Sequence, residues 1–308
     1  MNDSSRWRGS AKTRAALLIA AAVACLGLAI AVQFARDRAY AIREQAIERL
    51  LYVQSGEAMK RLALEFDALA ADVYWIRAIQ HYGGERQADG APRRYELLFP
   101  LLDLTTSLDP FFTVAYRFGA VFLSESPPSG PGRPDLAERL LRKGIAAEPT
   151  KWQYYYDTAF VYYWQVRDYR KAAEWFQRAA EQPGAPNWIP PLVASMLTAA
   201  NDRRAARFLW QQMLQSDQEW MRRNAERRIL QLDALDTADQ LEAFVKRYPA
   251  SVGEPLTWQG LMRRTPLRQI PTDATGTPFE LDPASGRVTV SRTSPLQPMP
   301  DVARRPPS

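Results

Sequence analysis

His81 is the only histidine among the 308 residues and Cys25 the only cysteine. Zinc sites draw most of their ligands from these two residue types, so a histidine or cysteine metal cluster cannot be assembled. A Ser-His-Asp relay would have to run through His81, which stands beside Tyr82 in a helical stretch and reads as an ordinary packed or surface histidine. Acidic pairs such as Asp217 and Glu219 fall among alternating charges on helices and read as solvated faces. Gly130-Pro131-Gly132 belongs to a proline-rich loop rather than to a strand-to-helix turn, so it cradles no phosphate. The sequence therefore offers no catalytic, cofactor-binding or metal-binding residue. What remains is aromatic: Trp152, Tyr154, Tyr155, Tyr156, Phe160, Tyr163 and Trp164 crowd one helix. Large rings at helical spacing are mostly core, and only polar-tipped ones on an open face can touch a ligand. The chemistry on offer is recognition, with a glycan-processing activity on paired carboxylates kept as the enzyme alternative.

The elements that would position those rings form a repeat. Its clearest unit runs from Pro110 to Pro149, where Phe118, Gly119 and Phe122 are followed by Ala137, Leu141, Gly144 and Pro149. Small residues let two antiparallel helices approach closely and large ones fill the remaining holes. A second unit spans Lys151 to Glu181, with the turn Arg167-Asp168-Tyr169 and then Ala172, Phe176 and Ala179. Its first helix has two possible registers: Phe160 falls where a small residue is wanted, and a turn one residue longer would place Ala159 there. A third unit, Trp188 to Gln215, carries Val193, Ala194 and Leu197, the turn Asn201-Asp202, and then Ala206, Trp210 and Met213. The spacing is roughly 34 residues. On either side, Asp67–Tyr82 is expected to pair with Tyr95–Leu108, and Asp217–Gln231 with Thr237–Arg247, as degenerate terminal units. The loop Ser124–Arg133, rich in proline and glycine, is an exposed insertion between two helices.

Ala15 to Phe34 is a run of twenty residues in which Gln33 is the only strongly polar one, and ~20 helical residues cross the hydrocarbon core. A signal peptide cleaved at Ala29-Ile30-Ala31 is the competing reading, but signal cores are usually only ~7–15 residues long. A lipoprotein site at Cys25 is opposed by the apolar run continuing beyond it. Arg6, Arg8, Lys12 and Arg14 precede the span and Arg36, Arg38, Arg43 and Arg49 follow it, so charge barely sets orientation. A short basic amino terminus stays cytoplasmic, which sends the repeats across. With a single cysteine no disulfide can form within the chain, as the bacterial periplasm allows.

The net charge is +6, from 40 Lys+Arg against 34 Asp+Glu. Nucleic-acid binding wants such cations on one face. Here Arg139, Arg142, Arg170, Arg178, Arg203, Arg204, Arg222 and Arg223 alternate with acids along helices, so no nucleic-acid partner is expected, nor a small-molecule substrate. After Pro249 the periodicity stops. Leu256–Arg264 reads as a short helix, and residues 276–290 as a hairpin, with Phe279, Leu281, Val288 and Val290 alternating about a turn at Asp282–Gly286. A lone hairpin is marginal in water, so it should lean on the last helices. The stretch from Thr293 is expected to be disordered.

Residues 110–215 resemble tetratricopeptide repeats, and the layout is similar to single-pass bacterial membrane proteins with an extracytoplasmic repeat domain. Leu69–Gly83 and the hairpin after Pro271 look like segments of that group. The resemblance implies a right-handed helical solenoid whose concave groove, lined by the first helix of each pair, receives a peptide or helix. Mapped onto this chain, the groove contacts are Tyr116, Tyr156, Asp157 and Trp188.

The expectation is an all-α, tetratricopeptide-like solenoid with a transmembrane helix and a small C-terminal β-hairpin. Its parts are a basic cytoplasmic tail (1–14), the span (15–34), a helical linker (35–64), the repeat domain (65–248), an extension with the hairpin (249–292) and a tail (293–308). Such a chain is expected to sit in the bacterial inner membrane with its bulk in the periplasm. There it would act as a scaffold for a protein or peptide partner in an envelope assembly or secretion complex. A tethered chaperone for exported chains is the alternative.

Overall fold

A computed structural model describes residues 20–36, 65–87, 93–249 and 255–302. The basic tail, the linker over 37–64 and residues 303–308 lie outside the described residues, as do residues 15–19 of the expected span. Residues 20–36 form a helix (α1) exposed along its whole length. Among the described residues no helix is long and apolar enough to cross a membrane.

The part from Glu65 onward is mainly helical. Its helices are α2 (Asp67–Gln87), α3 (Leu98–Leu108), α4 (Thr113–Ser124), α5 (Pro134–Ala147), α6 (Trp152–Val161), α7 (Tyr169–Ala180), α8 (Ile189–Ala199), α9 (Arg203–Met213), α10 (Glu219–Arg247) and α11 (Trp258–Arg264). From α2 to α10 each helix packs on the next in sequence; α4 also touches α6, and α3 touches α5. Local signals set the starts. Pro134 occupies the first turn of α5, where its missing N–H costs nothing. Asp168, Asp202 and Thr257 cap α7, α9 and α11, accepting from the backbone N–H of Lys171, Ala205 and Gly260.

The small-and-large pattern becomes close packing. A Cβ on Gly119 would stand 2.9 Å from side-chain carbons of Leu102 and Leu140, on α3 and α5. One on Gly144 would stand 3.1 Å from the Tyr116 ring. Ala137, Leu141, Ala172, Phe176, Ala179, Ala206 and Trp210 are all buried.

The register of α6 resolves in favour of Ala159. A π-helical turn, Tyr162–Val166, follows α6 and takes up one extra residue before the chain turns at Arg167, which is left-handed with φ of 61°. Ala159 is thereby buried and Phe160 faces out.

Two expectations are corrected. The final pair of helices is instead the single helix α10. Between Gln231 and Thr237 the chain reads Leu-Asp-Ala-Leu-Asp, without the glycine or proline that a reversal needs. Arg203 and Arg207 of α9 then pair with Asp233, Asp236 and Asp239 along α10 and seat it. The tail from Thr293 is ordered as far as Val302: Leu296 is buried, and Gln231 Nε2 donates to the carbonyls of Leu296 at 2.6 Å and Pro298 at 2.9 Å.

In the C-terminal lobe β1 (Glu280–Leu281) pairs antiparallel with β2 (Val288–Thr289), Glu280 facing Thr289 and Leu281 facing Val288. Phe279, Val288 and Val290 pack with Ala234, Ala238 and Val245 of α10 and with Trp258 and Leu261 of α11. The Trp258 indole donates to Phe279 O at 2.8 Å. The hairpin thus leans on helices, as its marginal intrinsic stability requires.

Candidate partner-binding face

The residues expected to line a groove do not share one surface. Tyr116 is fully buried. Its ring lies against Gly144 and edge-on to Tyr154, 5.3 Å between centroids, and its hydroxyl reaches Thr106 O at 3.4 Å. Burial pushes the phenol up to about 12, so it stays protonated. As a core ring Tyr116 cannot be a partner contact, and that assignment is corrected. Its partner in the core is a glycine on another helix, which leaves room for a ring that a Cβ would exclude.

Tyr156 and Trp188 do come together. The Trp188 ring, exposed just before α8, stands edge-on to Tyr156 at 5.5 Å and to Trp152 at 6.0 Å. Tyr156 is half-buried, its other side 5.3 Å from Phe176. Asp157, the next residue, turns to α4 instead. It accepts two hydrogen bonds from Arg117, Nε to Oδ2 at 2.6 Å and Nη2 to Oδ1 at 3.1 Å. Burial pushes the Asp157 carboxyl above its usual value although Arg117 pulls it down. The hydrogen bond to Asp157 in turn holds the guanidinium up. The pair is a structural tie between α4 and α6, not a free charge offered to a ligand.

That tie fixes which residues stand level. Arg117 meets Asp157 across 40 positions and Ser126 meets Gln165 across 39. At this offset Val121 falls at the level of Phe160 and Val161 along the two touching helices. On α4 the buried stripe is Ala115, Tyr116, Gly119, Ala120 and Leu123, yet Val114, Phe118 and Val121 on the other side are also apolar and exposed. On α6 and its π-helical turn, Phe160 and Trp164 are exposed and their rings stack at 6.2 Å, 4° apart. Phe118 is 55% exposed and Trp164 53%. A helix apolar on both faces wants cover on both, and contiguous exposed apolar residues mark interaction surfaces. None of these four residues, Phe118, Val121, Phe160 and Trp164, was assigned to a binding face from the sequence, and Phe118, expected as a packing residue of the repeat, is exposed instead. The signal was present as apolar positions four apart and out of phase with the small-residue stripe.

Of the residues weighed for chemistry, Glu219 pairs with Arg223 at 3.5 Å on the surface of α10, and His81 lies within α2. Among the described residues no group of three or more His, Cys, Asp or Glu could hold a metal ion. Comparison with protein-family models, with curated proteins and with solved structures finds no match to this chain.

Proposed function

We propose that the chain is a scaffold that holds a protein partner on the face formed by α4 and α6, in a tetratricopeptide-like right-handed solenoid. The observation that carries the reading is that Phe118, Val121, Phe160 and Trp164 are apolar and exposed on two touching helices joined by the Arg117–Asp157 tie. Such a surface suits the apolar stripe of an amphipathic helix or an extended segment with bulky side chains, which anchors at positions three and four apart. Aromatic anchors carry a disproportionate share of binding energy where they become desolvated. Tyr156 and Trp188 extend the aromatic surface along the same helix and onto the start of the next pair. The apolar run Ala15–Phe34 favours a membrane anchor, and the short basic amino terminus before it favours repeats on the periplasmic side, so the partner would be a component of an envelope complex.

The test is capture from native membranes by the full chain, compared with Phe118→Ser/Trp164→Ser. The reading expects one membrane complex enriched by the wild type and lost with the variant at unchanged melting temperature. Equal yields from both proteins would refute this face. Broad, weak capture of many unfolded chains would move the reading to the chaperone.

A further inference from the structure

A second site of different chemistry lies where the π-helical turn, α8, α10 and the C-terminal segment meet. A cavity of about 190 Å3 is lined there by Tyr163, Arg167, Tyr169, Ser195, Arg228 and Asp301, among others. Cavities for drug-sized ligands run to roughly 300–1,000 Å3, so the occupant is small.

The charges of this cavity are unbalanced, unlike those at the α4–α6 and α9–α10 contacts, where Arg117 meets Asp157, Arg203 meets Asp236 and Arg207 meets Asp233. Among the described residues neither Arg167 nor Arg228 has a carboxylate within ion-pair distance. Arg167 lies over the Trp164 ring at 5.7 Å, and Arg228 Nη1 donates to Gln231 Oε1 at 3.0 Å. A guanidinium carries five donors, and among the described residues none of those on Arg228 meets a carboxylate. Burial, with neighbouring Arg227 adding to it, pushes Arg228 below its ordinary value, the mark of a charge short of compensation. The rings of Tyr163 and Tyr169 are 6.2 Å apart, and neither hydroxyl makes a hydrogen bond within the described residues. Two arginines and two tyrosines thus line the cavity with one carboxylate, Asp301.

The walls are built, not incidental. Gln231, which accepts from Arg228, is the residue that fastens the carbonyls of Leu296 and Pro298, and so the segment leading to Asp301. Arg167 owes its place to the π-helical turn and to its own left-handed backbone, which a non-glycine residue adopts uncommonly.

We propose that this cavity binds an oxyanion carried on a small organic molecule, a phosphate or a carboxylate, held by Arg167 and Arg228 with the two tyrosine hydroxyls as further donors. Oxyanions accept charge-assisted hydrogen bonds from guanidinium groups in paired geometry, and a half-buried uncompensated cation gains most from such a ligand. The site shares no residue with the apolar face but touches it, Arg167 and Tyr163 lying against Trp164; anion binding and partner capture are separate measurements, so failure of one leaves the other standing.

The experiment is titration calorimetry of the full chain with inorganic phosphate and, separately, with succinate. Saturable binding of one of them at millimolar affinity or better is expected, and which one binds tells phosphate from carboxylate. Arg228→Gln and Arg167→Gln should each weaken it at least about tenfold, and Asp301→Asn should tighten it by removing the one opposing charge. Arg167 is exposed, so its variant keeps the test valid should Arg228→Gln lower the melting temperature. No saturable binding of either anion up to about 10 mM, or wild-type affinity in Arg167→Gln, overturns the proposal.

Discussion

Arg117 and Asp157, 40 residues apart in the chain, close a two-pronged ion pair that ties α4 to α6 at 2.6 and 3.1 Å. The aspartate side chain is only 15% exposed, the arginine 39%. Desolvation is costly for such a pair, and replacement by well-packed apolar residues is often neutral, whereas removal of one partner leaves a charge stranded. Because burial raises the Asp157 carboxyl, its ionisation does not add stability: the favourable term is full below its unfolded value and fades as pH rises through the folded one. The pair sets register instead.

Asp157→Leu alone should therefore cost about 1–2 kcal/mol, less than a fully buried pair because Arg117 is partly screened. Arg117→Met with Asp157→Leu should recover most of that loss. Denaturant unfolding of the two single variants and the double variant reads the cycle. Additive losses would show that the two charges act independently.

The glycines at helix crossings should be intolerant. Gly144→Ala improves helix propensity by up to ~1 kcal/mol, yet its new Cβ meets the face of the Tyr116 ring at 3.1 Å, a rigid body that cannot swing aside as a flexible chain end can. We expect net destabilisation, and more from Gly119→Leu, about 1–3 kcal/mol or above. Arg142→Gln, which loses an exposed bond to Glu138 on its own helix and a guanidinium resting on the Trp175 ring, should cost no more than about 1 kcal/mol. Thermal melts that rank all three alike would contradict the helix pairing.

The periodic part of this fold was legible because burial follows period. Gly119, Ala137, Leu141, Gly144, Ala172 and Phe176 sit at offsets that only close helix packing explains. Non-local decisions were not legible. Tyr116 has a polar tip and the right helix for a groove, but Gly144 on another helix makes space that draws it inside. The tail from Thr293 has the composition of a disordered segment, and side chains distant in sequence, Gln231 and Asp273 among them, fasten it. The long helix α10 was divided by analogy with its neighbours, although no residue in it reverses the chain.

The burial difference between Tyr116 and Trp164 gives a direct contrast. Truncating a fully enclosed aromatic costs ~3–5 kcal/mol, so Tyr116→Ala should unfold the domain well below the wild-type temperature. Trp164→Ala removes a ring that is 53% exposed, stacked on Phe160, tilted against Tyr163 and covered by the Arg167 guanidinium. Its cost should be near or below ~1 kcal/mol. Circular dichroism melts of the two variants check this, and similar losses in both would make Trp164 a core residue and remove it from the proposed face.

Asp273 supplies the pH dependence of the C-terminal lobe. Its Oδ1 accepts from Thr275 N at 2.8 Å, Thr275 Oγ1 at 2.6 Å and Thr277 N at 3.1 Å, while Oδ2 accepts from the Ser294 hydroxyl. Burial alone would raise this carboxyl, but the hydrogen bonds from Ser294, Thr275 and Thr277 outweigh it and hold the group below its ordinary value. The sign follows: the stabilisation is full above the unfolded value near ~3.9 and is lost as pH falls through the lower, folded one. Asp273→Asn keeps the shape and removes the charge, so it should cost about 1–3 kcal/mol at neutral pH. The gap to wild type should then close as the pH drops below about 4. Urea unfolding of both proteins between neutral and strongly acidic pH measures the gap directly. A gap that stays constant across that range would assign the loss to shape rather than to the carboxylate charge that ties the tail at Ser294 to the turn after Pro271.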